Sequence, residues 1–287
     1  MDRYKQLVDL APDAIVVVRR DGTIDYANLE TQKIFGYAPE ELIGRPHETL
    51  LPERLRARWL RPTPPDARSS RRELLASMRT VVIFALVGTG MFFGKRAGVF
   101  RVYDDVSSHG LAWACVTPFV LAFLQDAYFY FTHRLMHHRL LFRAVHLEHH
   151  RSRHTSPFTA YAFSPIEALV HAAFVPLVTL VVPTHEVALF VFLGFMIVRN
   201  VLGHAGVEIH RAAFPESRVG RELTTPTHHA LHHLRPGTNF GLYLTLWDRL
   251  LGTTDPTYEA RFAEVTRPSE TSYAASDGRP LRPHEPT

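Results

Sequence analysis

The chain has 287 residues, of which 46% are apolar and 21% are charged, and its formal net charge at pH 7 is +4. Its single cysteine, Cys115, excludes an intramolecular disulfide, a cysteine-ligated iron–sulfur cluster and a Cys-x-x-Cys redox pair. The basic residues are nearly all arginine and form no stripe with interleaved aromatic residues, so we expect no nucleic-acid partner.

The first 60 residues predict a small α+β segment. "AIVVV" and "IDYAN" are typical of strands joined by the "RRDGT" turn, and short helices are expected around Phe35 and over residues 40–43. Together with "FGY" and "EELIGRP", this stretch resembles the first half of a PAS domain. The resemblance ends in a Pro/Arg/Ser-rich linker over residues 61–75, so we expect a partial PAS-like domain over residues 1–60. Whether it senses a signal or is a fusion remnant stays open.

Four apolar stretches follow, at residues 80–94, 111–131, 165–183 and 187–203. The second approaches the roughly 20 apolar residues that a membrane-spanning helix needs, although Gln125 and Asp126 interrupt it. We therefore predict a mainly α fold, a four-span membrane helical bundle, with buried helices of a soluble bundle as the alternative. An acid such as Asp126 is costly inside a span and is usually functional or paired, so we expect it to support a ligand in the second shell.

The distribution of arginine predicts the orientation of the bundle. Arginines cluster before the first stretch, after the second and after the fourth, whereas the turn at residues 183–186 has none. Under the positive-inside rule, both termini and the histidine clusters lie in the cytoplasm. The arginine bias also suggests a GC-rich genome, and we expect a bacterial inner membrane.

Histidine recurs at regular offsets in the segments that follow these stretches. His133 and His137 are four residues apart, and two H-x-x-H-H sets repeat offsets of three and four, which place side chains on one helix face. The two sets are His146, His149 and His150, and His229, His232 and His233. Neutral imidazole suits Zn, Cu, Fe or Ni, and eight such ligands are too many for one ion. Since neither H-E-x-x-H nor a Glu-x-x-His repeat is present, the count predicts an all-histidine pair of metals.

"DAYFYFTHRLMHH", "HLEHHRSRH", "TPTHHALHH" and "NFGLYLTLWDRLLGT" resemble the fatty acid hydroxylase/sterol desaturase superfamily over residues 75–260. The resemblance implies a cytosolic, His-rich helical cap that holds a non-haem di-iron centre. It implies these metal ligands: His133, His137, His146, His149, His150, His229, His232 and His233, with His204 as a ninth. His210 is a weaker candidate, and His138, His154 and His228 receive no role. Beyond the metal ligands no catalytic residue is predicted.

Two further motifs and one departure bear on the site. Asn239 of "NFG" and Asp248 of "WDR" are candidates for supporting the ligands. Many members of the superfamily carry His-Pro-x-x-Glu after the second histidine set, but this chain has "SPIE", with Ser164 in the histidine position. The resemblance therefore implies either the loss of one contact or a weaker second metal site.

The resemblance implies a membrane domain over residues 76–262 that hydroxylates or desaturates a lipid C–H bond with two Fe ions and O₂. The chain has no dinucleotide-binding glycine motif, so a separate electron donor is expected, such as a reductase, ferredoxin or cytochrome. A PAS-linked membrane metal or redox sensor without turnover is an alternative, and a dinuclear zinc hydrolase is another. Residues 263–287 are rich in Pro, Ser and charge and predict a disordered tail.

Overall fold

The fold is mainly helical. The structure is a computed structural model that describes residues 8–9, 11–19, 21–50, 58–60 and 67–266. The N-terminal module comprises β1 (Val16–Val18), β2 (Ile24–Ala27), α1 (Glu30–Phe35) and α2 (Pro39–Leu42). Four long helices follow: α3 (Ala67–Arg96), α4 (Leu111–Met136), α7 (Pro165–Val181) and α8 (Glu186–Gly203). The shorter helices are α5 (Phe142–Val145), α6 (Leu147–His150), α9 (Pro226–Leu234), α10 (Leu246–Leu250) and α11 (Tyr258–Thr266).

The described part of the N-terminal module contains a hairpin and two short helices at the predicted positions, whereas the truncation of the PAS-like segment stays a prediction. Strands β1 and β2 pair antiparallel, and Gly22 in the turn has φ +88°, a left-handed conformation that glycine adopts without strain. Ile24, Ala27 and Leu42 form a small buried core beneath the hairpin. In the described part of the module, β1 and β2 are the only strands, and the strand content of residues 51–57 and 61–66 lies outside the described residues.

Among the described residues, three helices, α3, α4 and α8, are long and apolar enough to cross a membrane. Helix α7 is also apolar but has 17 residues, one fewer than α8 and at the lower limit of about 17 for a span, so the four-span count stays a prediction. It begins at Pro165, after Ser164 caps its N-terminus, and ends two residues before Pro183. Outward-facing apolar side chains are common on these helices, as on Phe119 and Phe190, which suits contact with lipid tails.

Helix α3 packs against α7, and α4 packs against both α7 and α8. Leu121, Phe174 and Phe192, from three of these helices, form the buried core of the bundle. The boundaries of the predicted linker were wrong at its C-terminal end, because residues 67–75 already form the first turns of α3. The predicted tail was wrong for residues 263–266, which end α11; the rest of it lies outside the described residues.

The α3–α4 connection and the α7–α8 connection meet at one end of the bundle. Strand β3 (Val102–Tyr103) from the α3–α4 connection pairs in parallel with β4 (Thr184–His185) from the α7–α8 connection. Lys95 at the end of α3 is 3.0 Å from Glu186 and also forms an ion pair with Asp104, so its charge is matched by two acids. The histidine-bearing segments lie at the opposite ends of the same helices.

This arrangement predicts the accessibility of single cysteines. In a Cys115→Ala background, Ser107→Cys and Glu186→Cys should react with a membrane-impermeant maleimide from one side of the membrane only, because β3 and β4 lie at the same end of the bundle. Arg153→Cys, beside the second histidine set, should react only from the other side. Labelling of right-side-out and inverted vesicles measures this, and a shared side for all three positions would contradict the topology.

Candidate metal centre

Nine imidazoles converge in two adjoining groups at the end of the bundle opposite β3 and β4. In each group the potential ligand atoms all lie within 4.8 Å of one another. Only His137 is less than fully buried. The first group is His133, His137, His146, His150 and His232, and the second group is His149, His204, His229 and His233. These are the nine residues that the sequence predicted, and the structure brings all of them together.

Each histidine set is positioned by a different part of the chain. His133 lies in the last turn of α4, and His137 is the residue that caps its C-terminus, one turn later. The second set runs through the break between α5 and α6, and His204 caps the C-terminus of α8. The third set lies on α9, which begins after the N-cap Thr225 and is buried from Pro226 to His233.

The second histidine set is divided between the two groups. His146 and His150 join the first group, whereas His149 joins the second. The third set is divided in the same way, with His232 in the first group and His229 and His233 in the second. Residues four apart share a helix face and their neighbours point elsewhere, so one H-x-x-H-H motif serves both groups.

The spacing of the ring nitrogens suits metal ions. The Nε2 atoms of His133 and His146 are 3.0 Å apart, and those of His150 and His232 are 3.1 Å apart. In the second group, Nε2 of His229 is 2.8 Å from that of His204 and 3.1 Å from that of His233. Metal–imidazole bonds of about 2.1 Å place two ligands at right angles about 3 Å apart. Neutral imidazole nitrogens crowded at this distance repel one another unless a cation or proton lies between them.

Four of the rings are oriented by an acceptor on the nitrogen that faces away from the group. Nδ1 of His133 donates to the Phe240 carbonyl at 3.0 Å, and Nδ1 of His146 donates to Glu167 Oε1 at 2.7 Å. Nδ1 of His204 donates to the Asn200 carbonyl at 2.8 Å, and Nδ1 of His232 donates to the Thr238 carbonyl at 2.6 Å. A proton held on Nδ1 leaves the Nε2 lone pair free to bind a metal.

Burial keeps these rings in the neutral form that binds metals. Removal from water lowers the pKa of His150 to about 2 and that of His204 to about 4. Five other rings behave in the same way. Burial, and to a smaller degree repulsion from neighbouring imidazoles, holds the pKa well below its usual range in His146, His149, His229, His232 and His233. Since a ligand imidazole must be unprotonated, metal binding need not displace a proton from them at neutral pH.

Ser164 supports the helix that carries Glu167. Its hydroxyl accepts from the Glu167 backbone N–H at 3.2 Å and donates to the Val145 carbonyl at 2.5 Å. The glutamate of the "SPIE" motif therefore keeps a fixed position beside His146, in the first group. Neither of these two hydrogen bonds reaches the second group, and a weaker second metal site on account of Ser164 stays a prediction.

The three predicted supporting residues act through the backbone. Asp126 does not reach an imidazole; its Oδ1 accepts from the Tyr243 and Leu244 N–H groups at 2.7 and 3.1 Å. Asp248 accepts from the Phe240 and Gly241 N–H groups, both at 2.8 Å, and so fixes the carbonyl that orients His133.

Asn239 supports the third histidine set. It has φ +57°, a conformation that asparagine tolerates better than most residues, and its amide donates to the His228 carbonyl at 2.9 Å. The loop that contains it also requires glycine at position 241, because a Cβ there would lie 2.5 Å from the Leu244 carbonyl oxygen.

The histidine-bearing segments at this end of the bundle form the cap, and their other histidines lie outside both groups. Nδ1 of His210 is 2.7 Å from Glu208 Oε1, and Nε2 of His228 is 3.5 Å from Asp248 Oδ2. Neither these two nor His138 and His154 contribute to the convergent sets. No role was predicted for Glu167, although it occupies the glutamate position of the His-Pro-x-x-Glu pattern. The Phe240 and Thr238 carbonyls could not be identified from the sequence, because a backbone acceptor does not depend on residue type.

An apolar cavity of about 550 Å³ adjoins the two groups and extends along the bundle between α3, α4, α7 and α8. Two of its aromatic residues contact the imidazoles: the Phe129 and His133 ring centres are 4.7 Å apart, and those of Phe163 and His149 are 5.3 Å apart. None of its lining residues carries a formal charge at neutral pH, and its hydrogen-bonding side chains are Gln125, Tyr161, His171 and Asn200. Its volume lies within the range of small-molecule sites.

The Glu167–His146 contact predicts an effect on metal affinity. Glu167→Ala should lower the affinity of the first group by about 10- to 100-fold, as is usual for the loss of an acceptor behind a ligand. Glu167→Gln should have a smaller effect, because its amide oxygen can still accept the Nδ1–H. Competition with a chelator measures the affinity, with exposed Glu259→Ala as the control. Equal affinity in the wild type and Glu167→Ala would show that the contact does not matter.

Two family matches and several relatives agree with this geometry. Residues 118–253 match the fatty acid hydroxylase family, and residues 2–66 match the PAS fold. The chain is 29% identical to lathosterol oxidase of Rattus norvegicus over 63% of its own length and 60% of the relative's. It is 27% identical to the Homo sapiens lathosterol oxidase over 64% and 60% of the two chains. It is also 27% identical to the Delta(7)-sterol 5(6)-desaturase of Saccharomyces cerevisiae over 52% and 39%.

The chain thus spans about 60% of the length of the lathosterol oxidases that it matches. No solved structure matches it. These relatives are animal and fungal proteins, so they give no support to the expected bacterial membrane. The histidine motifs, the apolar helices and the convergent imidazoles nevertheless agree with the family match. Over residues 118–253 the chain is therefore similar to the fatty acid hydroxylase family, and over residues 2–66 it is similar to the PAS fold.

Proposed function

We propose that this protein is a membrane-bound non-haem di-iron oxygenase that hydroxylates or desaturates a lipid at a C–H bond, using O₂ and electrons from a separate donor protein. The observation that carries the proposal is the position of two groups of buried neutral imidazoles beside an apolar cavity. The names of the relatives, lathosterol oxidase and sterol desaturase, point to the same chemistry.

The nine imidazoles would hold one iron in each group, and a pair of ferrous ions supplies the capacity to reduce O₂ and oxidise an unactivated C–H bond. The chain's own residues prepare the site for this. The carbonyls and the carboxylate behind the rings fix the direction of each lone pair. The apolar walls exclude bulk water, which protects a strong oxidant from side reactions.

The cavity supports a neutral lipid as substrate. Its walls are apolar, and the side chains that can form hydrogen bonds are uncharged. A carboxylate or phosphate headgroup would therefore find no cation in the lining, whereas an alcohol could bond to an amide or a phenol. A sterol-like polycyclic alcohol fits these features, in agreement with the relatives' names.

The cavity is bordered on one side by α3 and on another by α8, and these two helices pack mainly on α7 and α4 rather than on each other. We infer that lipid enters laterally between them from the bilayer. The positive-inside arrangement would place the histidine groups and the electron donor on the cytoplasmic side. The sensor alternative is less favoured, because a sensor without turnover needs no substrate cavity and the relatives carry enzyme names.

Metal analysis tests the proposal. The protein purified in detergent and loaded anaerobically should bind about two iron ions per chain, one for each imidazole group. With O₂ and a chemical reductant it should convert a neutral sterol to a product that has gained one oxygen atom or lost two hydrogen atoms. His149→Ala should lower the metal content and abolish conversion. A zinc-only protein, or one that binds iron without oxidising any lipid offered, would refute the oxygenase assignment.

The position of Gly88 predicts a way to block the cavity without touching the metals. It lines the cavity, and a Cβ at this position would meet no atom within 4 Å. Gly88→Phe should fill part of the space and lower kcat/KM by about tenfold or more through exclusion of substrate, with metal content unchanged. Gly90→Phe is the matched control, since Gly90 lies on the same helix, has open space and does not line the cavity. Equal activity in both variants would show that substrate binds elsewhere.

A further inference from the structure

The region that matches the PAS fold is joined directly to the cap. The match extends to residue 66. Residues 58–60, which we call the bridging segment, lie within the matched region and pair antiparallel with residues 206–208. Leu60 N–H donates to the Gly206 carbonyl, and Glu208 N–H donates to the Arg58 carbonyl, both at 3.0 Å. The Arg58 guanidinium also donates to the His210 carbonyl at 2.8 Å. Part of the N-terminal region therefore completes the structure of the cap.

Residues 206–208, with which the bridging segment pairs, follow a candidate metal ligand. His204 of the second group lies two residues before Gly206. Gly206 has φ +71°, and a Cβ there would lie 2.6 Å from the Thr155 carbonyl oxygen, so this turn tolerates little change. A shift of residues 206–208 would therefore be passed on to His204.

The bridging segment also supports α9, which carries the third histidine set. Leu60 is buried against Ala230 and Val265, and Ala230 directly follows His229. Glu208, held by the bridging segment, accepts from Thr227 N–H at 3.0 Å and from its hydroxyl at 2.6 Å, at the start of the same helix. The bridging segment thus reaches α9 both directly and through Glu208.

These contacts bear unequally on the two groups. Of the four members of the second group, His204, His229 and His233 lie on the two elements that the bridging segment contacts. Of the five members of the first group, only His232 does. Displacement of the bridging segment should disturb three ligands of one site and one ligand of the other.

The fourth member of the second group is held by the helix that follows the bridging segment. Arg79 of α3 lies 2.8 Å from Glu148, the residue before His149. One turn and a half earlier, Glu73 accepts from the hydroxyls of Ser152 and Ser156, both at 2.6 Å. Residues 58–60, Glu73 and Arg79 therefore contact the chain beside each element that carries a member of the second group.

We propose that the N-terminal module, which matches the PAS fold, acts through the bridging segment on the metal affinity of the second group more strongly than on that of the first. The inference rests on the proposed function, because it requires both groups to bind metal. The module would regulate the enzyme by setting whether the second metal is retained. Its own small core of Ile24, Ala27 and Leu42 is the part of the module that a variant can disturb at a distance from the cap.

Metal release to an excess of a chromophoric ferrous chelator tests this in the full-length, iron-loaded protein. Wild type should release its two equivalents slowly. In Leu60→Ala, one equivalent should leave at least about tenfold faster, as expected for loss of support behind a ligand, and the release rate of the other should change much less. Phe192→Ala, which removes a fully buried side chain from the bundle core, is the matched control and should show no such split.

Leu42→Ala, in the core of the module, should accelerate release of the same single equivalent. An insertion of a short Gly/Ser stretch after Leu50, between the small core of the module and the bridging segment, should have the same effect. Acceleration of both equivalents together in Leu60→Ala would overturn the inference, as would wild-type release in Leu42→Ala and the insertion variant. A wild-type protein that binds no metal would instead refute the proposed function, so the two failures are distinguishable.

Discussion

The structure depends on the crowding of nine neutral imidazoles in a space from which water is excluded. Their Nε2 lone pairs approach within about 3 Å of one another, an arrangement that is unfavourable without a positive charge between them. Burial lowers the pKa of these rings, so they do not supply that charge themselves at neutral pH. A metal ion in each group would resolve the conflict, since it would accept the lone pairs and compensate the lost solvation. The cap is therefore organised to receive cations.

Much of the remaining cap holds these rings against their mutual repulsion. Backbone carbonyls and Glu167 fix the Nδ1 protons, and Asp248 fixes the loop that presents the Phe240 carbonyl. Helices α4 and α8 each contribute a ligand at the end where they leave the bundle, and the cavity lies just inside that end. The candidate metal sites thus lie where the long helices end, next to the cavity.

The convergence of most of these histidines could be predicted from the sequence, because offsets of three and four residues place side chains on one helix face. The sequence could not predict how they are shared, since H-x-x-H-H does not show that His146 and His150 turn toward one site and His149 toward the other. That division depends on the break between α5 and α6 and on the approach of α9, both of which are tertiary features. Asp126 illustrates the same limit: its costly burial was evident, but its partners are backbone amides of a loop more than a hundred residues away. The start of α3 and the end of α11 could not be predicted, because the sequence around them is rich in charged residues and proline and is typical of a linker or a tail. Packing against the cap makes both segments helical.

The most direct test is an experimental density map of the iron-loaded protein with anomalous or element-specific contrast. Two separate metal peaks should appear, each about 2.1 Å from several Nε2 atoms, one among the first group and the other among the second. A single peak, or two peaks away from these nine rings, would contradict the central claim that the histidines form a pair of adjoining metal sites.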